Sequence, residues 1–170
     1  MKIGIVSDSH GNLPLLHQAA AQITGHFCSD LVFHLGDDYE DGRRLSGGGV
    51  KIRIVPGLQC REYFDLHFSK VHVEEVDGLR IAAAHTREEL AHHAPAAQIY
   101  LFGHTHAACI ELKAGRIFLN PGHLKASMDR GYAPSFAILE TAEAVVSARV
   151  YEMNGAIRLE QQVPRSALQS

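Results

Sequence analysis

The sequence has only three cysteines and no long apolar run, and these two features exclude particular classes of protein. Cys28, Cys60 and Cys109 form no CxxC pair, and an odd number of cysteines argues against a disulfide framework. No apolar stretch approaches the roughly 20 residues that cross a bilayer. The start of the chain lacks the charged and apolar regions of a secretory signal peptide. We therefore expect a soluble, cytoplasmic protein with no membrane partner.

The chain also lacks an excess of positive charge. Its 16 Lys and Arg residues face 19 Asp and Glu residues, which leaves a net charge of −3. We expect no nucleic-acid partner, because proteins of that class attract phosphate with a basic surface. Any polyanionic substrate would have to be attracted by bound cations. Histidine, with 12 residues, is the one residue type in excess, and it directs attention to metal binding.

The length and the hydrophobic pattern indicate a single α/β domain. A chain of 170 residues is long enough to bury one real core. We predict one domain over residues 1–162 and a frayed C-terminal tail over 163–170. The first third has a βαβ(α)β order, with a helix at 13–23 and a loop or short helix within 37–49. Such an order is typical of a layered, largely parallel sheet.

Short strands dominate the remaining sequence. Asp77-Gly78, Ala114-Gly115 and Asn154-Gly155 are typical of tight turns between antiparallel strands. A short helix is predicted at 88–93, and the last strands form an antiparallel meander. The predicted strands cover 3–7, 31–35, 50–55, 71–76, 79–84, 99–102, 107–113, 116–119, 135–140, 145–151 and 156–159. The resulting fold class is α/β, a two-sheet α/β sandwich flanked by helices.

Four polar clusters stand directly behind predicted strands. They are Asp8-Ser9-His10, Gly36-Asp37, Ala84-His85 and Gly103-His104-Thr105-His106. Strand ends lie side by side at one edge of a sheet, so these side chains can converge. Carboxylate and imidazole groups are ligands for manganese, iron or zinc. A pair of such ions can clamp the attacking and leaving oxygens of a phosphoryl group.

Each cluster taken alone also has an ordinary explanation. Asp8 could be a helix cap, and Asp37 could belong to a solvated acidic turn. Histidine pairs are not rare in this chain, and we interpret His92-His93 as surface residues. The ligand hypothesis for Asp8 and His10 assumes an extended backbone, on which side chains at i and i+2 point the same way.

The order D-x-H, G-D, H and G-H-T-H is more specific than its parts, and it resembles the calcineurin-like metallophosphoesterase superfamily. The resemblance is greatest to its YfcE-like branch of small phosphodiesterases. It covers essentially the whole chain, including Asn120-Pro121-Gly122, which is similar to the family's NPGS segment. The resemblance implies a two-sheet sandwich and a small phosphorylated substrate.

The same resemblance implies two divalent ions, with manganese expected first and iron, nickel or zinc as alternatives. One ion would be held by Asp8, His10, Asp37 and His106. The other would be held by Asp37, His85 and His104, with Asp37 bridging the two. A hydroxide between the ions would attack phosphorus in line. We assign catalytic roles to Asp37, His104 and His123.

The sequence departs from the family pattern after the third strand. Where the family has an asparagine ligand behind a glycine, this chain has Leu58, which cannot bind a metal. The amide of Gln59 or the thiolate of Cys60 could take its place, although Cys60 could equally be a small buried thiol. We therefore expect the second metal site to be the weaker one. His123 stands where NPGS has serine and could serve as an acid or phosphate donor, or be an exposed loop histidine.

These features predict a metal-dependent phosphoesterase, a phosphodiesterase before a phosphatase. The alternative is a binding or scaffold protein like the retromer scaffold subunit, which retains the fold while its metal site is eroded. A nuclease is a third possibility, because larger members of the superfamily are nucleases, but the acidic composition argues against it. Apolar edge strands could also pair into a homodimer.

Overall fold

Two mixed β-sheets packed face to face make up the computed structural model, which describes residues 1–45 and 49–169. The strands are β1 (Lys2–Val6), β2 (Leu31–His34), β3 (Lys51–Ile54), β4 (Val71–Val76), β5 (Leu79–Ala84), β6 (Ile99–Leu101), β7 (Cys109–Lys113), β8 (Arg116–Asn120), β9 (Ser135–Thr141), β10 (Val145–Glu152) and β11 (Ile157–Pro164). The predicted two-sheet sandwich is confirmed. Residues 46–48 of the predicted segment 37–49 lie outside the described residues.

The helices are short and lie outside the sheets. They are α1 (Leu13–Ala21), which continues into a π-helical turn (Gln22–His26), α2 (Tyr39–Arg44) and α3 (Arg87–His93). Helix α1 begins where predicted because the Asn12 side chain accepts a hydrogen bond from the Leu15 N–H and Pro14 fits the first turn. Within the described residues, no helix is long and apolar enough to cross a membrane.

The first sheet has the order β11-β10-β9-β1-β2-β3, and the second has the order β4-β5-β6-β8-β7. Strands β1, β2 and β3 are parallel, as are β5, β6 and β8. The predicted turn at Asp77-Gly78 joins β4 to β5, with φ values of 50° and 75° that suit a tight hairpin. The predicted final meander is confirmed as β9, β10 and β11.

The main core fills the space between the sheets. Ile3 and Phe33 from the first sheet and Ile81 and Leu101 from the second are fully buried there. The other face of the first sheet packs against α1 and the π-helical turn. Gly4 permits this close packing, because a Cβ atom at that position would overlap the side chain of Ile23. The packing of the two sheets and of α1 thereby determines the relative positions of the strand ends.

The C-terminal segment differs from the predicted frayed tail. Strand β11 continues to Pro164, and Val163 is only 1% exposed. The following turn packs Leu168 against the core between the sheets, and the Gln169 N–H donates to the Gly115 carbonyl. Strand pairing and apolar burial thus continue past residue 162, whereas the extent of the domain stays a prediction.

An ion-pair network joins the edge strand of one sheet to the edge strand of the other. Glu74 on β4 accepts from Arg53 Nε at 2.7 Å and from Lys51 Nζ at 2.6 Å, both on β3. The Arg53 guanidinium, helped by Lys51 and His72, lowers the pKa of Glu74 to about 2. Since this carboxylate is mostly shielded from water, the network contributes to holding the sheets together.

We expect Glu74→Gln to lower the free energy of unfolding by about 1 kcal/mol at neutral pH. A lowered folded-state pKa gives stability that is present above the ordinary value of 4.5 and lost as the pH falls through about 2. Urea titrations at pH 7 and pH 3 measure this difference. Glu75→Gln, on the exposed side of the same strand, is the control. Equal stability loss in the two variants would contradict the prediction.

Candidate metal centre

The carboxyl ends of the parallel strands from both sheets meet at one edge of the sandwich. Asp8 and His10 follow β1, Asp37 follows β2, His85 follows β5, and the His104 to His106 turn follows β6. The predicted convergence of the four clusters is confirmed, although it takes place across two sheets. Two groups of potential ligand atoms lie within 4.8 Å of one another: Asp8, His10 and His106, and Asp8, Asp37 and His85.

In the first group, ring nitrogens and a carboxylate oxygen face a common space. The Nε2 atom of His106 lies 3.2 Å from Asp8 Oδ1 and 3.2 Å from His10 Nε2. His10 Nε2 is also 3.6 Å from Asp37 Oδ2, so Asp37 lies close to this group. Asp8 and His106 are buried, and His10 is half-buried.

In the second group, the ring of His85 is fixed by the backbone. Its Nδ1 lies 2.7 Å from the Leu35 carbonyl oxygen, which can only accept, so Nδ1 carries the proton. Nε2 lies on the opposite side of the ring, 3.3 Å from Asp37 Oδ1. His104 is half-buried with its ring centroid 5.2 Å from that of His85, and it belongs to neither close group.

The ligand residues adopt left-handed backbone conformations, contrary to the extended backbone that was predicted. Asp8, His10, His104 and His106 have φ values of 52°, 46°, 66° and 62°. Such conformations each cost on the order of 1 kcal/mol and persist where surrounding contacts enforce them. Here the Asp8 N–H donates to the Gly36 carbonyl, and the His104 N–H donates to Asp8 Oδ2. Four of the nine described non-glycine residues with a positive φ therefore belong to the candidate centre.

Asn120 holds the histidine turn in place. Its side-chain amide donates to the Gly103 carbonyl at 2.8 Å and to Thr105 Oγ1 at 3.0 Å. Its oxygen accepts from the Gly122 N–H at 2.9 Å. The Asn-Pro-Gly segment therefore acts as a brace for the turn that carries His104 and His106.

A second network supports the turn after β1. The Ser9 hydroxyl donates to Asp41 Oδ2 at 2.8 Å and lies 3.2 Å from His34 Nε2, while the Gly11 N–H donates to the same carboxylate oxygen. Burial lowers the pKa of His34 to about 4, so this ring is neutral. Neither Asp41, in α2, nor His34, at the end of β2, was predicted to support this turn, since no local pattern marks which polar groups meet across 32 positions of the chain.

The loop after β3 contains the predicted replacements for the missing asparagine. The Gln59 N–H donates to Asp37 Oδ1 at 3.4 Å, and its side chain is exposed. Cys60 is buried, burial raises its pKa, and its Sγ accepts from the Asp38 and Tyr39 N–H groups. Because Cys60 belongs to neither ligand group, the buried-thiol alternative describes it better than the ligand prediction.

His123 is fully buried, so the alternative of an exposed loop histidine is wrong. Its Nε2 lies 2.9 Å from the Tyr132 carbonyl oxygen and must donate to it. Its Nδ1 accepts from the Lys125 N–H at 3.2 Å. Because both ring nitrogens are engaged with backbone, this geometry leaves none free for the predicted donation to a phosphate.

A cleft of about 500 Å³ lies beside the centre. Its lining is mainly polar and comprises His10, Asp38, Tyr39, Glu40, Gln59, Cys60, Arg61 and Glu62. Since His10 belongs to both the cleft and the first ligand group, a molecule in the cleft would contact the centre directly.

These features agree with the family identified by comparison with known proteins. Residues 1–144 match the model of the calcineurin-like phosphoesterase superfamily domain. The chain belongs to this superfamily, and the resemblance found in the sequence is confirmed.

Several particular proteins are similar over nearly the whole chain. A probable metallophosphoesterase of Bacillus subtilis, YsnB, is 25% identical over 179 residues, covering 91% of this chain and 93% of that protein. The solved structure of YfcE, a phosphoesterase from E. coli, has a TM-score of 0.74 at 22% identity and covers 95% of this chain and 98% of that one. A single mutant of Vps29 from Entamoeba histolytica has a TM-score of 0.72 at 19% identity, with 96% and 99% covered. These structural likenesses show the fold.

Proposed function

We propose that the protein is a phosphodiesterase of small phosphorylated compounds that works with two divalent ions, manganese being expected first. One observation carries the proposal. Asp8 Oδ1 and His85 Nε2 are buried and have no hydrogen-bond partner among the described residues. Buried polar atoms without partners are destabilising, and a carboxylate oxygen and an imidazole nitrogen are both groups that a bound cation would satisfy. The donor set of carboxylates and imidazoles therefore fits a pair of transition-metal ions.

The family resemblance supplies an assignment of ligands to each ion, and the groups Asp8, His10 and His106 and Asp8, Asp37 and His85 support part of it. Asp8, His10, Asp37 and His106 would hold the first. Asp37, His85 and His104 would hold the second, with Asp37 shared and with Gln59 or solvent in the place of the missing asparagine. When bound, such ions lower the pKa of water and neutralise charge that develops on phosphate oxygens.

The protein's own residues prepare this site before any substrate binds. Burial alone would raise the pKa of Asp8, but His106, His85 and the Ser7 hydroxyl outweigh burial and lower it. Asp8 is therefore an anion at neutral pH. The Leu35 carbonyl fixes the proton of His85 on Nδ1, so that Nε2 faces Asp37. Asp37 and His104 keep the catalytic roles proposed for them.

The cleft supports a small substrate and argues against nucleic acid. Its volume suits a small molecule. Three carboxylates, from Asp38, Glu40 and Glu62, line it beside a single guanidinium from Arg61. This surface would repel a long phosphate backbone, whereas Arg61 could contact one phosphate group.

Metal loading followed by a hydrolysis assay tests the proposal. Protein stripped with a chelator and reloaded with manganese should bind up to two ions per chain. The number of manganese ions per chain is measured by elemental mass spectrometry. It should hydrolyse bis-p-nitrophenyl phosphate faster than p-nitrophenyl phosphate. Failure to bind metal, together with no metal-stimulated turnover, would contradict the proposal.

A scaffold protein is the second candidate function. The observation that favours it is Leu58, which stands where the family has a metal ligand and is 37% exposed. The fold it shares with Vps29 is compatible with this function. A scaffold should carry substoichiometric metal and show no metal-stimulated turnover, so the same experiment distinguishes the two candidates.

A further inference from the structure

A carboxylate from outside the ligand set contacts one of the proposed ligands. Asp129 lies in the segment between β8 and β9, and its Oδ2 is 2.5 Å from His106 Nδ1. The other ring nitrogen of His106 faces Asp8 and His10. His106 therefore lies between an outer carboxylate and the candidate centre, with its side chain only 2% exposed.

We propose that Asp129 is a positioning residue for the ion held by Asp8, His10 and His106. Its carboxylate accepts the Nδ1 proton of His106, which leaves the Nε2 lone pair directed at the ion and makes the ring a better ligand. Loss of a carboxylate that orients a metal-binding histidine in this way typically lowers metal affinity 10–100-fold. We expect the loss of Asp129 to lower the affinity for this ion by at least about 10-fold. The inference rests on the proposed metal centre.

Several hydrogen bonds fix the position of the loop that carries Asp129. The backbones of Asp129 and Tyr132 exchange two hydrogen bonds, of 2.9 and 2.8 Å. The buried ring of His123 donates to the same Tyr132 carbonyl at 2.9 Å. Lys125 Nζ lies 3.2 Å from the free oxygen Oδ1 of Asp129. His123, which stands where the family has serine, thus anchors the tip of this loop.

The second ion offers an internal comparison. His85, its proposed ligand, is oriented by the Leu35 carbonyl and not by Asp129. Loss of the Asp129 carboxylate should therefore weaken the binding of the ion held by Asp8, His10 and His106, but not the binding of the other ion. A residue that merely supports the fold would affect both sites and the stability of the protein together.

The test is a calorimetric titration of Asp129→Asn, Asp129→Ala and wild-type protein with manganese alone. It measures the affinity of each protein for each of the two ions. Asparagine keeps the shape and removes the charge, and alanine also removes the acceptor. We expect the affinity of one ion to fall about 10–100-fold, more in the alanine variant, while the other ion keeps its affinity. Asp65→Asn is the matched control, because Asp65 makes a similar contact, of 2.8 Å, to the exposed His67. Its two affinities should equal those of wild type.

Two further measurements separate the possible failures. Thermal unfolding of the metal-free proteins should be unchanged in Asp129→Asn, and a strongly downfield ring N–H proton in the NMR spectrum of wild type should be missing from it. Unchanged affinity for both ions, or an equal loss of both, would overturn the role of Asp129 while leaving the metal centre standing. Wild-type protein that binds no ion would overturn the proposed function and this inference with it.

Discussion

Asp37→Ala is expected to lower kcat/KM for manganese-stimulated hydrolysis of a phosphodiester by on the order of 1,000-fold. The reason is the position of its carboxylate. Oδ2 lies 3.6 Å from His10 Nε2, and Oδ1 lies 3.3 Å from His85 Nε2. One side chain therefore connects the residues proposed for both ions, and its removal should weaken the two sites at once.

The measurement is hydrolysis of bis-p-nitrophenyl phosphate at several manganese concentrations, combined with the number of ions bound per chain. Asp30→Ala is the control, since Asp30 is an exposed carboxylate that accepts a hydrogen bond from the Lys2 N–H. It should retain wild-type activity and metal content. An Asp37→Ala variant with activity within about threefold of wild type would show that the reaction does not depend on this centre.

The fold was predictable because much of it depends on local sequence. Alternating or continuous apolar residues indicate strands, and Asp77-Gly78 and Asn154-Gly155 indicate their turns. The carboxyl ends of parallel strands lie at one edge of a sheet, but clusters such as Gly36-Asp37 and Ala84-His85 follow strands of different sheets and converge because the two sheets pack together. The contacts after β11 were not predicted, because the apolar contact of Leu168 with the core depends on tertiary packing.

The supporting residues were not predictable for a different reason. Asp129 contacts a residue 23 positions earlier, and Asp41 contacts Ser9 across 32 positions. Each lies outside the strands, where no periodicity marks which polar groups will be buried together. The positive φ of His10, 46°, likewise has no signal in the local sequence. Local pattern thus indicates candidate ligands, whereas tertiary structure decides which polar groups surround them.

Gly57→Ala is expected to reduce phosphodiesterase activity about 100-fold, because it acts on Asp37 through space. A Cβ atom at Gly57 would overlap the Asp37 carboxylate and would lie 2.8 Å from the Asp37 backbone nitrogen. A displaced side chain alone would not relieve this contact, so the backbone of Asp37 must move. Gly57 does not have a positive φ, so the substitution adds steric overlap without backbone strain.

The free energy of unfolding of this variant should fall by about 1–3 kcal/mol, as overpacking usually produces. Urea denaturation and manganese titration measure the two effects separately. Gly25→Ala is the matched control, since no described atom lies within 4 Å of the added methyl group and φ is not positive. It should keep full activity and equal or slightly higher stability. If Gly57→Ala bound manganese and turned over substrate like Gly25→Ala, then the close approach of the β3 loop to Asp37 would not position the ligand that both ions share.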